Sequence, residues 1–177
     1  VAATGGKIKL NNIITDNITP VINKLEEWGC KIEKEKNTVY LEAPRKLKAV
    51  DIKTMPYPGF PTDMQSVFAS MLTTAKGTSV IVENIFENRY KFMTELKKMG
   101  AKITIEGKTA VIKGVRKLSG AKVISTDLRG GAALVTAGLI ARGKTEITNI
   151  EYILRGYEGL DKKLQQLGAK IEIKKDE

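Results

Sequence analysis

The chain has no histidine and a single cysteine, Cys30, among its 177 residues. Those scarcities exclude an internal disulfide, a Cys/His zinc site, a histidine triad and an imidazole general base. Acid–base chemistry therefore falls to Asp, Glu, Lys or Tyr, and phosphate binding to Arg, Lys or backbone amides. Aromatic residues number only ten, and none alternate with basic residues as in single-strand nucleic-acid binders. The net charge of +10 comes largely from scattered pairs such as Lys97–Lys98 and Lys162–Lys163, beside Glu or Gln. It reads as a solvated surface, so neither nucleic acid nor membrane is expected as a partner. No apolar run approaches the roughly 20 residues that span a bilayer, and no signal-peptide pattern is present. The expected location is the cytoplasm, and the 42% hydrophobic content can furnish a core.

What the chain does have is repetition. "WGCKI" at 28–32, "MGAKI" at 99–103 and "LGAKI" at 167–171 are three copies of one motif. Each closes an amphipathic run with apolar residues three and four apart, and the Gly stands where a helix C-cap belongs. An alternating segment follows each Gly and predicts a strand. "GGKIKLNNI" (5–13), "KGTSVIVENI" (76–85) and "RGKTEITNI" (142–150) repeat in the same phase as a Gly, a strand and an Asn-Ile ending. The implied unit is strand, helix, strand, strand, strand, helix, over about 65 to 70 residues. Units span about 6–76 and 77–142, with a partial third at 143–177. "VAAT" at the start has the composition of a helix tail, and the incomplete third unit predicts a piece of a longer protein. An exposed sheet edge left by that gap would promote self-association. Cys30 fills the position of Ala101 and Ala169, which predicts a small packed side chain.

A third motif occurs twice: "PTDMQ" (61–65) and "STDLR" (125–129), each opening a helix rich in Ala, Gly, Ser and Thr. Thr62 and Gln65 fit a capping box, with Asp63 favoured in the first turn by the helix dipole. A rigid Pro-Gly-Phe-Pro turn that aims Asp63 at a ligand is the other reading, and the local residues leave both open. Arg89 and Arg155 fall at equivalent places beyond the Asn-Ile endings, and Arg129 follows the second "TD". Three such arginines converging on one axis would suit a substrate with carboxylate and phosphate groups.

"FPTDMQ" (60–65), "IFENRY" (85–90), "DLRGGAALVTAGLIARGKTEI" (127–147) and "RGYE" (155–158) occur in order across the chain. With these motifs the sequence resembles the carboxy-terminal portion of the UDP-N-acetylglucosamine 1-carboxyvinyltransferase family. The resemblance implies an α/β fold, an inside-out α/β barrel of three such units with helices at its centre, as one domain of a two-domain enzyme. It implies that residues 1–177 form a single lobe, and that the other lobe, absent here, carries the reactive cysteine, a lysine and a further arginine. The implied reaction moves the enolpyruvyl group of phosphoenolpyruvate to the 3-hydroxyl of UDP-N-acetylglucosamine, releasing phosphate, early in peptidoglycan synthesis, without metal or cofactor. By resemblance Asp63 is the base for that hydroxyl and Asp127 belongs to the catalytic cleft. Arg155 would clamp phosphoenolpyruvate, and Arg129 and Arg89 would shape the same cleft. Ile85 would touch the nucleotide-sugar through its backbone with Phe86 beside it, their side chains being expected in a buried strand end. Ile153 and Leu154 stand where family members often carry polar residues. The partners implied are the two substrates and the missing lobe, and this chain alone is expected to be inactive. The alternatives are a lobe of the shikimate-pathway enolpyruvyl transferase, or a non-catalytic anion- or nucleic-acid-binding module.

Overall fold

Gly29, Gly100 and Gly168 all adopt positive φ, between 92° and 115°, a region that costs glycine little. At each, the Gly amide donates to a carbonyl three residues back and the next amide to one five back: Glu26 and Leu25, Lys97 and Leu96, Gln165 and Leu164. The "GCKI" and "GAKI" motifs are thus one helix stop used three times. In a computed structural model that describes residues 1–45 and 47–174, these stops end α1 (Thr19–Trp28), α3 (Lys91–Lys98) and α6 (Leu160–Gln166).

Strands β1 (Lys7–Leu10), β2 (Lys31–Glu35) and β3 (Thr38–Glu42) form an antiparallel sheet in the order β1-β3-β2, with Ile8 and Ile32 both opposite Leu41. The arrangement recurs in β5 (Thr78–Val82), β6 (Lys102–Glu106) and β7 (Thr109–Lys113), where β7 lies between the other two. Alternation explains them: Val39 and Leu41 in β3, and Ala110 and Ile112 in β7, point inward while their neighbours do not. Two short strands stitch the units together. β4 (Ile52–Lys53) pairs parallel with β5, and β8 (Lys122–Ile124) pairs parallel with β9 (Glu146–Thr148).

Helices α2 (Thr62–Leu72) and α4 (Leu128–Ile140) follow β4 and β8 and pack on each other. Their small residues allow close approach: Ala69, Ser70, Ala133 and Ala137 are completely buried, and the Ser70 hydroxyl donates to the Ala133 carbonyl at 2.7 Å. Around them lie Trp28, Phe68, Phe92, Leu96, Met99, Leu118 and Leu134, all essentially inaccessible. Cys30 is buried at the first helix stop, and burial pushes its thiol pKa up. No helix among the described residues is long and apolar enough to cross a membrane.

One expectation about the elements changes. Residues 169–174 form no strand, because no described residue pairs with them, and 175–177 lie outside the described residues. Residues 1–5 make a single turn, with the Thr4 and Gly5 amides on the Val1 carbonyl. A short α5 (Glu151–Leu154) precedes α6, and Gly159, at φ 58°, takes the N-cap position of α6.

Gly114, just past β7, shows how tightly the units abut. A Cβ there would stand 1.6 Å from the Ala75 carbonyl oxygen, which is backbone and cannot swing away. Gly114→Ala is therefore expected to cost about 1–3 kcal/mol. Gly138→Ala, inside α4 and meeting Thr145 only at 3.4 Å, is expected to be neutral or stabilising. Thermal unfolding of the two variants checks this; equal midpoints would contradict the packing described.

Candidate functional site

Asp63 and Arg129 are the second residues of α2 and α4, and Ser70 of α2 meets Ala133 of α4. The two buried helices therefore run in the same sense and present their amino ends together. The segment leading to Asp63 is closed by the Met55 amide on the Phe60 carbonyl (3.0 Å), and Phe60 is locked edge-on against Phe68 at 5.1 Å. Gly59 is needed in that turn, since a Cβ would come within 2.4 Å of the Met55 Cβ.

Two arginines hold the Asp63 carboxylate. Arg89 Nη2 donates to Oδ1 at 2.9 Å and Arg129 Nη2 to Oδ2 at 2.5 Å, while the Asp63 side chain stays 53% exposed. Arg129 is braced by Tyr157, its Nη1 donating to the phenol oxygen at 2.9 Å. Arg89 lies over the Phe86 ring, 4.7 Å from its centroid. The Arg129 hydrogen bond is the largest influence on the Asp63 carboxyl and draws its pKa below the usual value; partial burial opposes this and Arg89 reinforces it. Arg129 is raised reciprocally, chiefly by its hydrogen bond to Asp63. The result is a carboxylate that stays ionised and open to solvent between two cations.

The capping box does not form. Pro61, at ψ 133°, takes the N-cap position of α2 and has no side-chain acceptor, so Thr62 is already the first helical residue. Its hydroxyl donates instead to Glu83 Oε2 at 2.9 Å, and Gln65 is buried with its oxygen taken by Ser66. The second "TD" behaves differently. Asp127 is itself the N-cap of α4, Oδ1 accepting from the Arg129 and Gly130 amides at 3.0 and 2.8 Å. Its carboxylate is engaged in fixing the residue that holds Asp63.

Ile85 and Phe86 are not in a buried strand end. Strand β5 stops at Val82, and the two residues are 40% and 48% exposed on the loop that follows. Their amides turn inward onto Glu83 Oε1, at 2.8 and 3.1 Å. Arg155, at the end of α5, is exposed, lies 5.5 Å from the Tyr152 ring centroid and is not hydrogen-bonded to the Asp63 cluster. Its segment reaches the cluster through Tyr157. Thus Arg89 and Arg129 converge on Asp63, and Arg155 does not.

Sequence reasoning passed over Glu83, Thr54 and Tyr157. The available signal for Glu83 was an acid in "VENI", where the other copies have Asn11 and Thr148. Tyr90 anchors the same loop from below, its hydroxyl within 3.1 and 2.9 Å of the Ile81 and Lys108 carbonyl oxygens. Burial, and secondarily Glu83, push its pKa up to about 12, so it stays a neutral phenol. Two surface grooves of about 470 and 600 Å³ lie elsewhere, beside α1 and along β6, and Asp63, Arg89 and Arg129 line neither.

Comparison with solved structures gives the architecture a class. The enolpyruvyl transferase NikO from Streptomyces tendae superposes with a TM-score of 0.87 at 25% identity, over 97% of this chain and 42% of that one. An EPSP synthase from Acinetobacter baumannii follows the same fold at TM-score 0.65 and 18% identity, over 82% of this chain and 35% of that one. The fold is that of the enolpyruvyl transferases. A family profile for EPSP synthase (3-phosphoshikimate 1-carboxyvinyltransferase) matches residues 1–164. UDP-N-acetylglucosamine 1-carboxyvinyltransferase 1 of Caldanaerobacter subterraneus is 56% identical over 96% of this chain and 41% of its own length. The UDP-N-acetylglucosamine 1-carboxyvinyltransferase of Desulfofundulus thermocisternus is also 56% identical, over 96% of this chain and 70% of its own length. The chain belongs to the UDP-N-acetylglucosamine 1-carboxyvinyltransferase family, within the wider group that the profile describes. It spans 41% of the length of the Caldanaerobacter relative and 70% of the Desulfofundulus one.

Proposed function

We propose that this chain is one lobe of a two-domain transferase, folded as an inside-out α/β barrel with α2 and α4 among its central helices. The transferase moves the enolpyruvyl group of phosphoenolpyruvate to the 3-hydroxyl of UDP-N-acetylglucosamine and releases phosphate. The observation that carries this is the solvent-open Asp63 carboxylate gripped by Arg89 and Arg129 at the paired helix starts. Asp63 accepts the proton that leaves the sugar hydroxyl as its oxygen bonds to C2 of phosphoenolpyruvate; C3 takes up a proton from solvent and loses it again when the C2–O bond to phosphate breaks and the double bond returns. A carboxylate offers about four acceptor directions, and the two arginines use two of them here. Arg129 and Arg89, with donors left over, are suited to the carboxylate and phosphate of phosphoenolpyruvate, and Arg155 joins them from the adjoining segment. Asp127 serves by capping α4 and so aiming Arg129. Because the Ile85 amide is committed to Glu83, a backbone contact from Ile85 to the nucleotide-sugar is made by its carbonyl, with the exposed Phe86 ring beside it. The lobe that completes the site is the expected partner.

The test is phosphate release by the full-length transferase that contains this chain, given phosphoenolpyruvate and either UDP-N-acetylglucosamine or shikimate 3-phosphate. Release that requires the nucleotide-sugar is expected. Release that requires shikimate 3-phosphate would move the assignment to the shikimate-pathway enzyme, and release with neither would overturn it.

A further inference from the structure

Glu83 is 1% exposed, and four donors converge on its carboxylate. Oε1 accepts from the Thr54 hydroxyl at 2.8 Å and from the Ile85 and Phe86 amides at 2.8 and 3.1 Å; Oε2 accepts from the Thr62 hydroxyl at 2.9 Å. Burying a carboxylate is costly unless its oxygens are satisfied, and here both are. The donors sit on three separate pieces of the fold. Thr54 follows β4, Thr62 is the residue before Asp63 at the start of α2, and Ile85 and Phe86 begin the loop that delivers Arg89.

The fold itself does not call for an acid at this place. At the corresponding strand ends the chain has Asn11 and Thr148, and the residues after them, Asn12 and Asn149, turn the chain at φ 60° and 55°. In the second unit the turn is built differently. Asn84 avoids the left-handed region, its amide donating to the Thr54 hydroxyl at 2.9 Å and its side-chain nitrogen to the Thr54 carbonyl at 3.2 Å. The acid therefore occurs only in the unit whose loop carries Phe86 and Arg89.

We propose that Glu83 is a positioning residue: it ties the start of α2 to the loop 84–89 and so sets Asp63, Arg89 and the exposed Ile85–Phe86 edge relative to one another. It touches neither substrate. The kinetic form of this proposal rests on the enolpyruvyl-transfer reading, with the nucleotide-sugar lying along that edge. The experiment compares Glu83→Ala and Glu83→Gln in the full-length transferase, reading kcat, both KM values and the unfolding midpoint.

Glu83→Ala is expected to lower kcat/KM for UDP-N-acetylglucosamine roughly tenfold or more, with a smaller change in KM for phosphoenolpyruvate. Glu83→Gln is expected to recover most of that loss, because its oxygen keeps the Oε1 donors and the Thr62 hydroxyl turns to accept from the new amide. A lowered midpoint with unchanged kinetic constants in Glu83→Ala would overturn the proposal, as would a Gln variant impaired as badly as Ala. If Glu83→Ala does not fold, Thr62→Val cuts only the link to α2. A smaller, sugar-selective loss is expected there, and wild-type constants would overturn the proposal. A wild-type enzyme lacking sugar-dependent phosphate release would instead sink the transferase reading.

Discussion

Asp63→Asn in the full-length transferase is expected to lower kcat by about 10²–10⁴-fold, the range that a positioned general base supplies. Asn is nearly isosteric and keeps an oxygen for one arginine, so the variant isolates proton acceptance from the shape of the site. The fold has little stake in the charge. The Asp63 side chain is 53% exposed, and its pairs with Arg89 and Arg129 are partly screened by water, so each contributes at most about 1 kcal/mol. A near-normal unfolding midpoint with kcat reduced by orders of magnitude is the pattern expected of a base. A variant that loses stability but turns over normally would show that Asp63 is merely a bridge between the helix starts. If KM for the nucleotide-sugar rises while kcat holds, the carboxylate binds the hydroxyl without taking its proton.

The parts of this molecule legible in its sequence are those whose cause is local. Gly29, Gly100 and Gly168 stop helices because their own backbone adopts positive φ, and the alternation of β3 and β7 follows from one face meeting the core. The small residues of α2 and α4 foretold close packing, and the "TD" motifs pointed to Asp63 and Arg129, whereas "RGYE" pointed to Arg155 and it is Tyr157 of that motif that bonds to Arg129. The two "TD" copies look equivalent, yet α2 begins one residue before Asp63 and α4 one residue after Asp127. That shift decides whether an acid caps its own helix or faces its neighbours, and boundaries are not legible to within a residue. Glu83 was missed because its partners Thr54 and Thr62 are 29 and 21 residues away. Ile85 and Phe86 were misplaced for a different reason: apolar residues after a strand suggest continued burial, and nothing in their type shows that their amides turn back onto Glu83 and leave the side chains outside. Residues 169–174 alternate like a strand, but a strand exists by pairing, and alternation alone supplies no partner.

Arg129 is the largest single influence on Asp63, and its removal carries the second large effect. Arg129→Gln is expected to reduce kcat/KM about 10²-fold, the loss of one or two charge-assisted hydrogen bonds to an anionic substrate. It is also expected to move the titration of Asp63. With the guanidinium gone, partial burial, which raises the carboxyl pKa, is opposed only by Arg89, so the pKa returns upward toward the ordinary 3.8. The sign for stability follows. In the wild type the native pKa lies below the unfolded one, so the paired carboxylate stabilises the fold at pH above the unfolded value. That contribution fades as pH falls through the depressed native pKa. In Arg129→Gln the gap narrows, the contribution shrinks, and acid unfolding begins at higher pH. A carbon-13 titration of the Asp63 carboxyl in both proteins, alongside the acid limb of kcat/KM, reads the two shifts on one axis. Both are expected to move up together, and in Asp63→Asn the limb assigned to this group is expected to vanish. An NMR titration unchanged by Arg129→Gln would mean that Arg89 alone holds the carboxylate. A limb that stays put while the NMR titration moves would assign the base to another residue.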